Sequence, residues 1–239
     1  MIFSIEAGGI MTNKLSKPPL IPKYMYLPFF LVVVFHFSSY WFTNAISENS
    51  IHYDFSISID SQIPFVPFFI TFYILAYFQW LFSYVYHCRQ SKECCYQLLT
   101  SDLLAKLVCT FCFLLFPTTI VRPTLDGSGI FENITGIIFF LDTPVNLFPS
   151  MHCLMSWFCF RSSLTINKPS FIYSAVQLFL SLLVFASTVL VKQHFFIDII
   201  SGIMVAEICW LITKRFSLWH IFLKIKTSDN QIKADEKYK

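Results

Sequence analysis

Apolar residues in this chain gather in long blocks separated by short polar stretches, and five of the blocks have the length of a membrane crossing. A helix needs about 20 mostly apolar residues to traverse the hydrocarbon core. That rule predicts spans at Tyr24–Phe42, Ile63–Tyr86, Leu103–Ile120, Phe171–Val191 and Phe195–Thr213. A sixth block, from Ser150 to Ile166, contains Arg161, whose long stem can snorkel to the nearer interface. The expected fold is all-α, a polytopic membrane helix bundle with about six transmembrane helices. It divides into a cytoplasmic N-terminal segment (1–23), a six-helix transmembrane domain (24–213) and a cytoplasmic tail (214–239). The first apolar block follows a polar, basic stretch, so no cleavable signal of ordinary form is expected and the first span is retained.

Composition supports the membrane class. The 239 residues are 56% hydrophobic, 19% aromatic and 13% charged, with a mean hydropathy of +0.62, which is too apolar for a soluble domain of this size. The net charge is only +3 and the basic residues are scattered, so there is no footprint for nucleic acid. Their placement does orient the bundle, because short cytoplasmic loops collect Lys and Arg. With the N-terminus inside, all but three of the 17 basic residues fall on the cytoplasmic side. The three exceptions are Lys106, within the third span, and Arg122 and Lys192, both in outer loops that otherwise carry Glu48, Asp54, Asp60, Asp126, Glu132 and Asp142.

The two outer cations sit beside two histidine segments. Asn146-Leu-Phe-Pro-Ser-Met-His152 opens the sixth apolar block, and Lys192-Gln-His-Phe-Phe-Ile-Asp198 joins the last two spans. Arg122, His152, Lys192 and His194 thus all reach one face, where isolated polar groups at the ends of apolar segments would be costly. Separately, the two cations read more simply as lipid-headgroup contacts. Together with the histidines they point to one polar site. Asp126, Asp142 and Asn146 are close enough in sequence to shape it, but read more simply as loop residues, and the triplet Asn133-Ile-Thr135 fits a glycosylation acceptor.

In these motifs the chain resembles the type 2 phosphatidic acid phosphatase superfamily. That family's pattern is a Lys separated by six residues from Arg-Pro, then Pro-Ser-x-x-His or a close relative, then Ser-Arg, five residues, His, three residues and Asp. Here Arg122-Pro123, Pro149-Ser150-Met151-His152, and Ser187, His194 and Asp198 correspond, over about Leu103 to Gly202. The first-motif Lys would fall at Leu115 and the third-motif Arg at Thr188. Lys106 cannot replace the first, being sixteen residues from Arg122, ~24 Å along a helix, whereas Lys192 can supply the cation lost at 188. The Phe116-Pro-Thr-Thr119 run before Arg-Pro and the Lys-Gln-His sequence are similar to the branch related to inositol phosphorylceramide synthases. The resemblance implies a lipid phosphatase or phosphotransferase that needs no cofactor and no metal.

The residue chemistry is compatible. Without a metal cage, phosphate must be held by cations, hydroxyls and backbone N–H groups, which Arg122, Lys192 and Ser150 can provide. Pro149 suits a first helical turn, placing Ser150 to His152 at a helix N-terminus that favours an anion. His194 and Asp198 are four apart, so the carboxylate can accept one ring N–H and leave the other nitrogen to attack phosphorus. His152 would then protonate the departing alkoxide and activate water or an acceptor hydroxyl. Ser150 and Asp198 also fit plain helix N-caps.

The remaining features carry less chemistry. Cys109 and Cys112 have C-x-x-C spacing inside an apolar helix with no further ligands nearby, so they are read as packing, and no structural disulfide is expected. Lys106 and Glu207 fall at similar depths within spans, which suits either an ion pair between them or, equally, a snorkelling Lys106 beside a protonated Glu207. The sequence reading is a cell-membrane enzyme whose active site faces outside and acts on a lipid or isoprenoid phosphate ester through a phosphohistidine. One alternative is a phosphotransferase moving a phospho-headgroup to a lipid acceptor. The other is a non-catalytic membrane protein that binds anionic lipid.

Overall fold

The structure, a computed structural model, describes residues 20–47, 50–127, 129–166 and 170–222. Most of the N-terminal segment and of the tail lies outside the described residues. Seven helices follow in order: α1 (Tyr26–Ser47), α2 (Ile70–Cys88), α3 (Lys92–Leu115), α4 (Ile130–Leu141), α5 (Met151–Ser163), α6 (Phe171–Leu190) and α7 (Phe196–Phe216). Among the described residues no strand forms; two isolated bridges, Tyr53 to Thr118 and Thr119 to Val145, are the only ladder contacts. The all-α polytopic bundle is therefore what the apolar blocks encode.

Five helical stretches are long and apolar enough to cross a membrane: Lys23–Ser47, Pro67–Cys88, Lys92–Leu115, Phe171–Leu190 and Phe196–Phe216. They match the five predicted spans, with one large shift of boundary. α3 begins at Lys92, well before the expected Leu103, because Ser91 caps it by accepting the Cys94 N–H at 3.0 Å, while its polar first turns hide the start from a hydropathy count. It stops at Leu115 because Pro117 disfavours helical geometry at Phe116. Arg122 thus lies in an extended segment beyond α3 and not at the helix end.

The predicted sixth span is the 13-residue α5, packed among α2, α3, α6 and α7. Being enclosed by protein, it needs neither the length nor the apolarity of a lipid-facing helix. Polar bonds fasten its neighbours: Trp80 Nε1 donates to Ser156 Oγ (2.9 Å), Ser181 Oγ to the Ser156 carbonyl (2.7 Å), and Gln79 Nε2 to Gln177 Oε1 (3.1 Å). Interhelical bonds of this kind average about 0.6 kcal/mol each.

The Lys106–Glu207 pair does not form. Lys106 Nζ lies 2.7 Å from Asp102 Oδ2, one turn earlier on α3, and both side chains are buried. Glu207 instead takes Arg161 Nε at 2.9 Å and Trp157 Nε1 at 3.1 Å, so Arg161 pairs inside the bundle. Both side chains pair instead with other charges, Asp102 lying just before the expected start of the third span and Arg161 on α5.

The bundle has two chemically distinct ends. At one, Tyr24 Oη donates to the Cys88 carbonyl (2.8 Å), and Tyr96 packs on both Tyr24 and Phe222. This joins the start of α1, the α2–α3 turn and the residues beyond α7, with Arg89 and Lys92 nearby. The opposite end gathers the 50–66 loop, the 116–127 segment, α4, the entrance of α5 and the α6–α7 turn. All the motif residues lie there.

Candidate active site

The site is built from helix ends. α6 closes with Lys192 in the left-handed conformation (φ 54°), and the N–H groups of Gln193 and His194 both return to the Thr188 carbonyl at 2.9 and 3.1 Å. Glycine is the usual residue at such a helix terminus, so a lysine there carries roughly 1–3 kcal/mol of local strain. The turn aims His194 and Lys192 into a cavity of about 400 Å³ that is also lined by Arg122, Asp54, Asp60 and Phe195.

His194 Nδ1 lies 3.3 Å from Asp198 Oδ2, and that same oxygen accepts the Phe195 N–H at 2.9 Å. Asp198 is thus a helix-capping carboxylate and the histidine's partner at once. His194 itself precedes α7, so the pairing comes from the turn entering the helix and not from two positions along it. The Nδ1 contact leaves Nε2 as the ring nitrogen not held by the carboxylate.

Arg122 reaches the cavity already held. Nη1 donates to the carbonyls of Phe139 (2.9 Å) and Asp142 (2.7 Å) at the end of α4, Nη2 to Gln193 Oε1 (2.7 Å), and the guanidinium sits 4.4 Å above the Phe139 ring. Burial draws its pKa below the ordinary value, with the nearby Asp142 carboxylate opposing. Its Nε is buried without a partner among the described residues. Lys192 is also anchored, its Nζ donating to the carbonyls of Ile63 (2.6 Å) and Asp60 (3.2 Å), which leaves one of its three hydrogens for a ligand.

His152 stands behind this layer on the first turn of α5. Its ring stacks on Tyr73 at 4.1 Å, touches Tyr77 and Trp80, and lies 6.1 Å from the His194 ring. Its Nε2 is buried and unpartnered among the described residues, as are Gln193 Nε2 and Asp198 Oδ1. Native proteins leave few buried polar atoms unbonded; these three lie beside His194, behind the cavity wall and not among its lining residues. Ser150 differs from expectation. It is fully buried, its Oγ caps α5 through the Cys153 N–H (3.4 Å), its N–H donates to the Asp198 carbonyl (3.1 Å), and it does not line the cavity. Pro149 precedes this cap and is joined to Phe148 by a cis peptide bond, so it lies outside the first turn.

The structure accordingly gathers Arg122, Lys192 and His194 at one cavity, with Asp198 behind His194 as its partner, sets His152 beside His194, and places the Ser150 hydroxyl at the α5 cap. A family model described as the PAP2 superfamily matches residues 47–212, more than half of the chain. The chain belongs to the PAP2 superfamily. No curated protein and no solved structure matches it. Membership in this superfamily supports a membrane enzyme of the phosphatase or phosphotransferase type.

Within this PAP2 chain the two motif departures have distinct structural settings. Leu115 ends α3 largely exposed and away from the cavity lining. Thr188 is buried in the α5–α6 interface, with its Oγ1 on the Phe185 carbonyl (2.8 Å) and 3.8 Å from Cys153 Sγ. Lys192 reaches the cavity from the turn instead. Among the described residues no cluster of three or more His, Cys, Asp or Glu side chains is placed to hold a metal ion, and all eight cysteines are free.

Several participants escaped the sequence reading. Gln193 lies between two motif residues and belongs to none of the family motifs, yet an amide flanked by Lys and His in a tight turn is a natural partner for a buried guanidinium. Asp60, read as loop charge, accepts the Phe196 N–H (2.8 Å) and so caps α7. α4 was read as part of a loop because its 12 residues are too short to span a membrane, and the Thr135 hydroxyl of the glycosylation-like triplet is buried there on the Phe131 carbonyl. Asn146, also read as loop, is buried in the left-handed conformation and ties the α5 entrance to Thr43 and Asn44 of α1.

Proposed function

We propose that the protein is an integral-membrane phosphatase acting on a lipid or isoprenoid phosphate ester through a phosphohistidine, without metal. The observation that carries this reading is the His194–Asp198 contact at the wall of a cavity shared with Arg122 and Lys192. Phosphoryl transfer needs little covalent chemistry from the protein beyond a nucleophile, a proton donor and fixed positive charge. Arg122 Nε and the remaining Lys192 hydrogen take the phosphate oxygens. His194 Nε2 attacks phosphorus; the N–P bond forms as the P–O bond to the lipid alcohol breaks, and His152 delivers its proton to the leaving oxygen. Asp198 stabilises the positive imidazole. His152 then takes a proton from water, the new P–O bond forms, and the N–P bond breaks to release phosphate.

The basic residues at the opposite end of the bundle support a cytoplasmic location for that end and an outer location for the cavity, in the cell membrane. A second reading has its own support. Asp54, Ser56, Asp60 and Ser61 form a polar wall facing the cations, which suits a headgroup larger than phosphate and agrees with the resemblance to the inositol phosphorylceramide synthase branch. In that case the second step delivers the phospho-headgroup to a lipid hydroxyl in place of water.

The test is a product analysis with purified protein, phosphatidate, prenyl phosphates and headgroup-bearing lipids in the presence of EDTA. Inorganic phosphate release that persists in EDTA is expected for the phosphatase. A phospho-headgroup lipid appearing only when an acceptor is supplied would select the transferase. Binding of lipid phosphate with no turnover of any substrate would replace both with the non-catalytic reading.

A further inference from the structure

Asp142 follows the last residue of α4, and its two halves face different parts of the site. Its main-chain carbonyl, with that of Phe139, accepts Arg122 Nη1. Its carboxylate accepts the Tyr40 hydroxyl of α1 on Oδ1 at 2.9 Å and the Tyr73 hydroxyl of α2 on Oδ2 at 3.4 Å. Tyr73 is almost fully buried, and its ring is the face on which His152 stacks, 4.1 Å between centroids and 27° between planes.

His152 makes no side-chain hydrogen bond among those described, and its Nε2 is buried without a partner. Aromatic packing therefore sets the ring's orientation, and among the described residues Tyr73 is the only one of its four ring neighbours in a stacked arrangement. A tilt of the Tyr73 ring would carry His152 with it. The hydroxyl bond to Asp142 anchors the far end of that buried ring against such a tilt, and the Tyr40 bond in turn fixes the carboxylate from a third helix.

We infer that the Asp142 carboxylate is a positioning residue that orients His152 through Tyr73. This rests on the phosphoryl-transfer reading for its catalytic consequence, though not for the geometry. The division within the residue gives a specific signature. Removing the side chain leaves the main-chain carbonyl on Arg122 in place, so phosphate binding is retained while proton transfer to the leaving group suffers. Misplacement by about 1 Å can cost roughly 10²-fold in rate.

The experiment pairs Asp142→Ala with Tyr73→Phe, which deletes one oxygen and keeps the stacked ring. Turnover is measured alongside the rate at which diethyl pyrocarbonate modifies each histidine, read by peptide mass spectrometry. The expected result is a kcat lowered about 10- to 100-fold in Asp142→Ala and less in Tyr73→Phe, KM within about threefold of wild type, and faster modification of His152 while His194 is unchanged. Asp142→Asn, which keeps an acceptor oxygen, should recover part of the kcat. Unchanged His152 modification in both variants would overturn the inference whatever the turnover. If the wild type turns over no phosphate ester, the phosphoryl-transfer reading falls, and the modification rates alone still decide whether Asp142 holds His152.

Discussion

Gly202 on α7 packs directly against the backbone at the start of α5, and replacing it tests whether that closeness sets the catalytic geometry. A Cβ at this position would lie 2.6 Å from the Ser150 carbonyl oxygen and 3.3 Å from both Cys153 Cβ and Leu154 N. Ordinary carbon–oxygen contact begins at about 3.4 Å, so the gap must open by roughly 0.8 Å, and two of the three obstructing atoms are backbone. The Ser150 N–H to Asp198 carbonyl bond (3.1 Å) lies in the same contact and would be stretched. His152, two residues on, moves with Ser150, whereas His194 and Asp198 stay with α7. The displacement exceeds the ~0.5 Å tolerance of a preorganised site and predicts a kcat loss on the order of 10²-fold.

Stability should change much less. Overpacking costs about 1–3 kcal/mol, and replacing a helical glycine by alanine returns about 0.8–1 kcal/mol. A net loss of roughly 0–2 kcal/mol leaves the Gly202→Ala protein folded. Phosphate release and thermal unfolding in detergent would be measured together, with Gly136→Ala in α4 as control, since its Cβ meets only the flexible Leu125 Cδ1 at 3.3 Å. Wild-type kcat in Gly202→Ala, with an unchanged or raised Tm, would refute the link between this contact and the geometry of the two histidines.

Other expectations follow from the ion pairs and the cavity. In thermal-stability cycles Asp102→Asn and Lys106→Met should be strongly non-additive, because removing either partner of a buried pair costs about 3–5 kcal/mol, while Lys106→Met and Glu207→Gln should add; coupling in the second cycle would contradict the pairing described. Cysteines introduced at Val121, which is 93% exposed beside the cavity, and at Glu93 should react with an impermeant thiol reagent from outside and inside respectively, in a background lacking Cys94 and Cys112. The reverse pattern would invert the membrane orientation. Arg122→Lys, which forfeits the bonds to α4 and Gln193, should lower kcat/KM by more than tenfold; full activity would remove Arg122 from the phosphate site.

The placement of the motif residues at one end of the bundle is more legible in the sequence than the scaffold that holds them. The positions of His194, Asp198 and His152 are legible because fixed spacings place them at helix starts, that of Arg122 because it is a cation in an outer loop, and the spans because apolar blocks about 20 residues long have one reading. What escaped depends on through-space partners. α4 fits neither a span nor a loop by length, yet its last turn carries the carbonyls that hold Arg122. Asp102, excluded by a boundary drawn at Leu103, claims Lys106 at one helical turn, and Arg161 finds Glu207 across a helix interface that periodicity does not reveal. Ser150 matched the motif, but its hydroxyl is used by α5 as a cap.

The central claim is that His194 becomes covalently phosphorylated, and trapping that species tests it most directly. Purified protein mixed briefly with a radiolabelled phosphate ester should be quenched under alkaline denaturing conditions that preserve phosphohistidine, then digested and mapped. Label is expected on His194, lost on acid treatment, absent in His194→Ala, and accumulating in His152→Ala supplied with a substrate whose leaving group needs no protonation. Turnover by His194→Ala, or label on any other residue, would contradict it.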